Sequence, residues 1–365
     1  MEQDLPLFFV AAPGLEATVA AEARAAGFQG VTPVHGGVEA RGGWTEVWRA
    51  NLVLRSASRV LVRIAEFRAL HLAQLDKRAR KVDWAAVLRP DVPLRVEAAC
   101  HASRIYHDKA AAQRIETALR EVLGAPIDPK ADLVVKARID DDLCIISLDT
   151  SGESLHKRGH KEAVGKAPLR ETVAAAVLAQ MGFDGSQTVV DPMCGSGTFL
   201  IEAAEIAAGL LAGRGRSFAF EGLAGFDAAA FARMKATPTR PPQVRFFGSD
   251  RDQGAIGGAT ANAARAGIGG WCRFERRAIS DLTPPEGAPP GMVLINPPWG
   301  GRIGERKLLF ALYGAMGAVL RERFAGWQIG IVAPDPGLVK ATGLGLTAAG
   351  PAMDMGGTKV TLWRS

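Results

Sequence analysis

The run Thr188-Val189-Val190-Asp191 and the turn that follows it constrain this chain more than anything else in it. Four residues with strand propensity stop at Asp191, glycines stand at Gly195 and Gly197, and helical spacing resumes from Thr198 to about Leu211. Val244–Asp250 repeats the pattern, with a helix over Gln253–Ala266. Further strands are expected at Cys272–Arg276, Met292–Asn296 and Trp327–Ala333, and a helix over Leu169–Met181 precedes the series. Repeated strand-helix units specify an α/β, doubly wound, mostly parallel sheet. The stretch 214–242 is too long for a simple helix-strand connection. Its Phe218, Phe220, Phe226 and Phe231 predict an insertion that packs.

The front of the chain has a different grammar. Residues 1–67 read as strand (Leu7–Val10), helix (Leu15–Ala26), a short strand pair (Val31–His35, Gly37–Ala40), helix (Trp44–Leu52) and strand (Arg59–Phe67), the order of a ferredoxin-like unit. Residues 68–152 form a second small α/β module, with a strand at Leu94–Ala99 and a helix at His107–Leu123. A hairpin at Leu133–Ile139 and Leu143–Leu148 closes it around Asp140-Asp141-Asp142. This module holds no acid-base cluster, which suits binding better than catalysis. A basic linker, 153–168, leads to the 169–365 domain.

At 365 residues, two or three domains are expected. No apolar run approaches the ~18 residues of a membrane span, and the amino terminus lacks the pattern of a signal peptide. The expectation is a cytoplasmic protein. The four cysteines lie far apart with no CxxC pair, so no zinc site or disulfide framework is predicted. All six histidines precede residue 161, so the carboxy-terminal half works without a histidine base of its own. The net charge of +6 is compatible with a polyanionic partner. Lys157, Arg158, Lys161 and Lys166, with Arg170 and against the single acid Glu162, are the candidate RNA-phosphate contacts, the alternative being a solvated face. A second cluster is Lys77-Arg78-Ala79-Arg80-Lys81.

Three motifs carry chemistry. The first is Asp191-Pro-Met-Cys-Gly195-Ser-Gly197-Thr198, where glycines let a ligand approach the backbone and a helix start offers free N–H groups. A phosphate loop would need a terminal Gly-Lys-Ser/Thr, and a dinucleotide fingerprint a glycine where Leu200 stands. The methionine end of S-adenosylmethionine over the glycines, with Asp191 near its amino group, is the remaining reading. The second motif is Phe247-Gly-Ser-Asp250. Its acid can accept both ribose hydroxyls of a nucleoside, or serve as a helix cap. The third is Asn296-Pro297-Pro298-Trp299 at the end of an apolar strand. An exocyclic amino nitrogen is a poor nucleophile because its lone pair is delocalised. Asn296 Oδ1 and the Pro297 carbonyl can accept its two N–H groups and draw it toward a tetrahedral form, while Trp299 offers a flat face to an unstacked base. The bland alternative is a proline-rich turn with a buried tryptophan.

Leu155-His-Lys-Arg-Gly-His160, Ala167-Pro-Leu-Arg-Glu171, DPMCGSGTFLIEAA at 191–204, FGSD at 247–250, AISDL at 278–282 and NPPWGGRIGE at 296–305 resemble the THUMP-domain RNA guanine-N2 methyltransferases, the bacterial 23S rRNA branch in particular. The resemblance spans nearly the whole chain. It implies a Rossmann-like class I methyltransferase domain preceded by a ferredoxin-like unit and a THUMP RNA-binding module. It also implies S-adenosyl-L-methionine as cofactor, RNA as partner, and neither metal nor membrane. Carried onto these motifs, it implies cofactor contacts at Arg170 before the first helix and at Asp191, Cys194, Gly195, Gly197 and Thr198 in the turn. Ser249, Asp250, Asp281 and Asn296 complete that set. Asn296, Pro297 and Trp299 are implied to act on the base. Cys194, under the expected cofactor, is read as packing rather than as a nucleophile. Two departures stand out: Trp299 replaces the family's usual tyrosine, and Ala278 occupies the place of an acid that contacts adenine in many relatives, with Asp281 three residues on. The competing readings are a tRNA guanine, adenine N6 or protein glutamine methyltransferase, and a catalytically silent RNA-binding assembly factor.

Overall fold

The computed structural model describes residues 4–162, 169–236, 238–300 and 306–365. The chain forms two compact units. The first comprises Met1–Ala11, Ala20–Leu155 and Arg216–Ala236, the second Ala12–Val19, His156–Gly215 and Thr237–Ser365.

In the first unit, β1 (Leu5–Val10), α1 (Glu16–Ala25), β2 (Gln29–Val34), β3 (Gly37–Gly42), α2 (Trp44–Val53) and β4 (Arg59–Arg68) follow the expected order. Then come α3 (Leu72–Ala79), β5 (Leu94–His101), α4 (Asp108–Val122), β6 (Leu133–Asp140) and β7 (Leu143–Asp149). All seven strands share one sheet, ordered β2-β3-β1-β4-β7-β6-β5. Alternation decides its faces: Leu7 and Phe9 of β1 and Val60 and Val62 of β4 are buried, while Phe8 and Leu61 between them are only half-buried. The helix α3 has no counterpart in the sequence reading. The Lys77–Lys81 cluster straddles its C-terminus, where Arg80 is bonded to Asp76 and Glu121 rather than free for phosphate.

The insertion packs, as its phenylalanines predict. Phe218, Phe220 and Phe231 are buried, and Phe220 lies 6.2 Å from the ring of Trp48 and 5.0 Å from Phe231. Such ring pairs each contribute about 0.5–1.5 kcal/mol beyond area burial. A helix within the insertion, α7 (Ala228–Lys235), is capped by Asp227, which accepts the Ala230 N–H.

The second unit runs α5 (Glu171–Gln180), β8 (Val189–Asp191), α6 (Thr198–Ala207), β9 (Phe246–Asp250), α8 (Gln253–Arg265) and β10 (Cys272–Arg276), setting α7 aside. It continues with β11 (Met292–Ile295), α9 (Arg306–Arg323), β12 (Gln328–Ala333), α10 (Pro336–Ala341), β13 (Thr347–Ala348), β14 (Met353–Met355) and β15 (Thr358–Arg364). The strand order is β10-β9-β8-β11-β12-β15-β13, with β14 pairing β15 off this path. Pairings from β10 through β12 are parallel, and β15 runs antiparallel to β12. The helix α6 ends earlier than its spacing suggests. Gly209 at φ +67° turns the chain left-handed, and the Leu210 N–H closes back on the Glu205 carbonyl.

The chain leaves β8 toward β9 and β10, then returns to β11 on the other side of β8. The strand order therefore reverses between β8 and β11, which is where open α/β sheets bind ligands beyond the strands' carboxyl ends. Asp191 and Asp250 end β8 and β9, and Asn296 follows β11.

Candidate active site

The turn after β8 is held from β9. Cys194 N–H donates to the Ser249 carbonyl at 3.0 Å, and Gly195 N–H donates to Asp250 Oδ2 at 3.1 Å. The two glycines differ in purpose. Gly195 has φ +51°, and a Cβ there would meet nothing within 4 Å, so the backbone faces open space. At Gly197, φ +82°, a Cβ would come within 3.2 Å of the Phe274 ring and of Ala259, so its bareness serves packing. Beyond it α6 begins with unbonded N–H groups, as every helix does.

Asp191 is buried. Its Oδ1 accepts the Met193 N–H at 3.0 Å, and no cation pairs with it among the described residues. Burial, reinforced by the charge of Asp250, pushes its carboxyl up to about 8, against that single hydrogen bond. Asp250 spends one oxygen on Gly195 and the other on the Asp252 N–H, leaving further lone pairs on each. The buried Ser249 Oγ has no partner among the described residues. A buried acid lacking a cation, an open glycine and an orphaned hydroxyl fit the amino-acid and ribose ends of S-adenosylmethionine.

Across the switch point, Asn296 Oδ1 is likewise buried and without a hydrogen-bond partner among the described residues. An acceptor so placed costs about 1–3 kcal/mol unless something donates to it. Pro297 is buried, and Trp299 is half-buried with its indole N–H donating to the Val332 carbonyl of β12 at 3.1 Å. That bond fixes the ring by its edge. Residues 301–305 of the same motif lie outside the described residues.

Burial raises the Cys194 thiol far above its ordinary range and pushes Cys272 up to about 12, which suits packing and not nucleophilic attack. Asp281 stands exposed in a turn at 279–281, and Arg170 lies exposed at the N-terminus of α5.

The linker assignments need correction. Arg158 is 2% exposed, and its Nε donates to Glu202 Oε1 at 2.9 Å, so it is unavailable to phosphate. Lys161 Nζ donates to the Leu169 carbonyl at 2.7 Å and to Thr198 Oγ1 at 2.9 Å, and pairs with Glu171 at 3.2 Å. Its charge neutralises a buried acid. The same linker also holds the Thr198 hydroxyl, which accepts from Lys161 and lies 3.5 Å from the Leu169 carbonyl. Lys157 is exposed, whereas Lys166 falls outside the described residues. Sequence reasoning missed Glu202 and Glu205, buried on the otherwise apolar α6, with Glu205 bonded to Arg214 at 2.7 Å. Removing one partner of a buried pair costs about 3–5 kcal/mol. Arg158→Ala should lower stability by that amount in urea unfolding, while Lys157→Ala should stay within about 0.5 kcal/mol.

Residues 158–357 match the RMKL-like methyltransferase domain, and residues 6–61 match the RlmL ferredoxin-like domain. A Synechocystis protein described as a candidate RNA methyltransferase is 32% identical over 98% of this chain and 95% of its own length. The ribosomal RNA large subunit methyltransferase K/L of Syntrophotalea carbinolica is 36% identical over 93% of this chain and 51% of its own length, so the chain spans about half of that relative. Among solved structures, SMU.472, a candidate methyltransferase complexed with S-adenosylhomocysteine, superposes with a TM-score of 0.88 at 26% identity, covering 100% of this chain and 98% of that one.

Proposed function

The chain belongs to the RMKL-like methyltransferase family, and from that membership we propose that it methylates the exocyclic N2 of a guanine in RNA, with 23S rRNA the leading substrate. The observation that carries the reading is the buried Asn296 Oδ1 at the switch point, which has no hydrogen-bond partner among the described residues. A donor brought in by a ligand would satisfy it, and an exocyclic amino group is such a donor. S-adenosylmethionine supplies the electrophilic methyl when bound. Asp191 would hold its ammonium, Asp250 its ribose hydroxyls, and Gly195 its close approach to the backbone. Asn296 Oδ1 and the Pro297 carbonyl would accept the amino protons and orient the nitrogen. No histidine occurs beyond residue 160, and no histidine base is required, because the nitrogen sheds its proton after the methyl arrives.

The division of labour supports the same reading. Residues 68–152 act as a THUMP-type RNA-binding module following the ferredoxin-like unit, and 169–365, apart from 216–236, which join the first unit, as the catalytic domain. No described helix is long and apolar enough to cross a membrane, and no group of residues suited to hold a metal ion occurs among the described residues.

The test compares nucleosides from 23S rRNA and tRNA, by mass spectrometry, in cells with and without the gene. N2-methylguanosine should fall in 23S rRNA. A loss confined to tRNA moves the substrate. No change in either fraction favours a silent assembly factor, and a product on ribose or a pyrimidine carbon overturns the assignment.

A further inference from the structure

The seven-stranded sheet of the first unit carries a hollow of about 270 Å³ on the face opposite its buried Leu7, Phe9, Val60 and Val62. Register explains how it forms. Phe8 pairs with Leu61, Arg63 with Ser147, Ser147 with Lys136, Ile145 with Arg138, and Lys136 with Glu97. These alternate positions from five neighbouring strands all point to one side. The walls are mixed: Phe8 and Ile145 give apolar surface, and the lining holds three cations, Arg63, Lys136 and Arg138, and one carboxylate, Glu97, while Glu39, Asp140 and Asp149 lie against the same cations from outside it.

Those cations are aimed in advance. The Arg63 guanidinium lies over the Phe8 ring at 5.0 Å and bonds Glu39 at 2.7 Å. Lys136 bonds Glu97, and Arg138 bonds Asp140 at 2.7 Å. Partly exposed ion pairs of this kind contribute little to stability. An incoming phosphate can therefore share or displace them at small cost, whereas the fold gains little from keeping them. The volume sits just below the ~300 Å³ at which drug-sized pockets begin, so the space suits one planar base and not a helix. A duplex would present its backbone and broad minor groove, which do not enter such a hollow. Unpaired bases stack on aromatic rings and guanidinium planes, and the Phe8–Arg63 pair supplies both.

The geometry points to a nucleotide site: the hollow seats one unpaired nucleotide of the RNA substrate, its base against Phe8 and Arg63 and its flanking phosphates at Lys136 and Arg138. This rests on RNA being the substrate.

The experiment uses the full chain and a labelled single-stranded RNA dodecamer of mixed sequence, beside a hairpin of equal length. Arg63→Gln with Arg138→Gln should weaken dodecamer binding at least tenfold. It should also reduce the slope of log affinity against log salt by about 0.7, the share of the one phosphate contact that Arg138 makes on a single strand. S-adenosylhomocysteine affinity and the urea midpoint should not move. With 5-iodouridine in the dodecamer, ultraviolet crosslinking should mark the peptide containing Phe8, a readout that needs no substitution. Unaltered affinity and slope in the double variant, a crosslink elsewhere, or tighter binding of the hairpin would overturn the site and leave RNA as substrate. A wild-type chain that binds neither RNA would overturn both.

Discussion

Asn296→Ala should lower the single-turnover rate at saturating RNA by about two to three orders of magnitude and leave S-adenosylhomocysteine affinity within about twofold. The scale is that of removing one preorganised hydrogen-bonding group aimed at a changing charge. Here the group is an acceptor, Oδ1, buried and without a hydrogen-bond partner among the described residues. Its interaction strengthens as the amino nitrogen gives up its conjugation, which places the benefit in the transition state. Asn296→Asp keeps an acceptor at that point and should retain more of the rate than alanine does. Trp299 acts differently. Stacking holds the base before and during transfer, so Trp299→Ala should weaken productive RNA engagement by about 1–3 kcal/mol, while Trp299→Tyr keeps a flat face and most of the activity. A fully active Asn296→Ala protein would remove the chemistry proposed for the loop.

The site was legible where buried parallel strands end in small or acidic residues. Val189–Asp191 and Met292–Ile295 are short apolar runs because both faces of the central sheet are covered. Whatever interrupts such a run marks a strand's carboxyl end. That logic reached Asp191, Asp250 and Asn296 without any knowledge of packing. It failed on the linker, because the sign of a charge does not reveal its burial. Lys157, Arg158 and Lys161 look alike in sequence, yet Arg158 is sealed against Glu202 and Lys161 against Glu171. The signal lay elsewhere, in acids on helices that are otherwise apolar: Glu202 and Glu205 in TFLIEAAEIA, and Glu171 opening ETVAAAVLAQ. A carboxylate buried all round either keeps its proton or takes a cation, and the basic linker supplies the cation for Glu202 and Glu171 while Arg214 supplies that for Glu205. The insertion shows the same limit. Its phenylalanines announced a core, but only the fold reveals that this core holds Trp48, some 170 residues earlier.

Asp191→Asn should raise the relative stability of the cofactor-free protein at pH 8 while weakening S-adenosylhomocysteine binding at least a hundredfold. The two effects share one cause. In the folded protein burial holds the Asp191 carboxyl up to about 8, against roughly 3.9 in an unfolded chain. Between those values the native state keeps a proton that the unfolded state has released. The wild type therefore loses stability as pH rises from about 4 to 8, by up to about 1.4 kcal/mol per pH unit. Below about 4 both states are protonated and the penalty is absent; above about 8 it is complete. Asparagine has no proton to lose, so the gap in urea stability between variant and wild type should widen in the variant's favour from pH 5 to pH 8, whatever its sign at pH 5. A gap independent of pH would remove the argument. The ligand supplies what the fold withholds. An ammonium beside Asp191 favours the ionised carboxylate, so binding near neutral pH should release close to one proton. Calorimetry in buffers of different ionisation enthalpy reads this directly, and affinity should rise from pH 6 to pH 8. In Asp191→Asn the proton release should vanish together with the affinity. Undiminished binding by the variant would mean that the buried acid serves the turn alone, through its bond to the Met193 N–H.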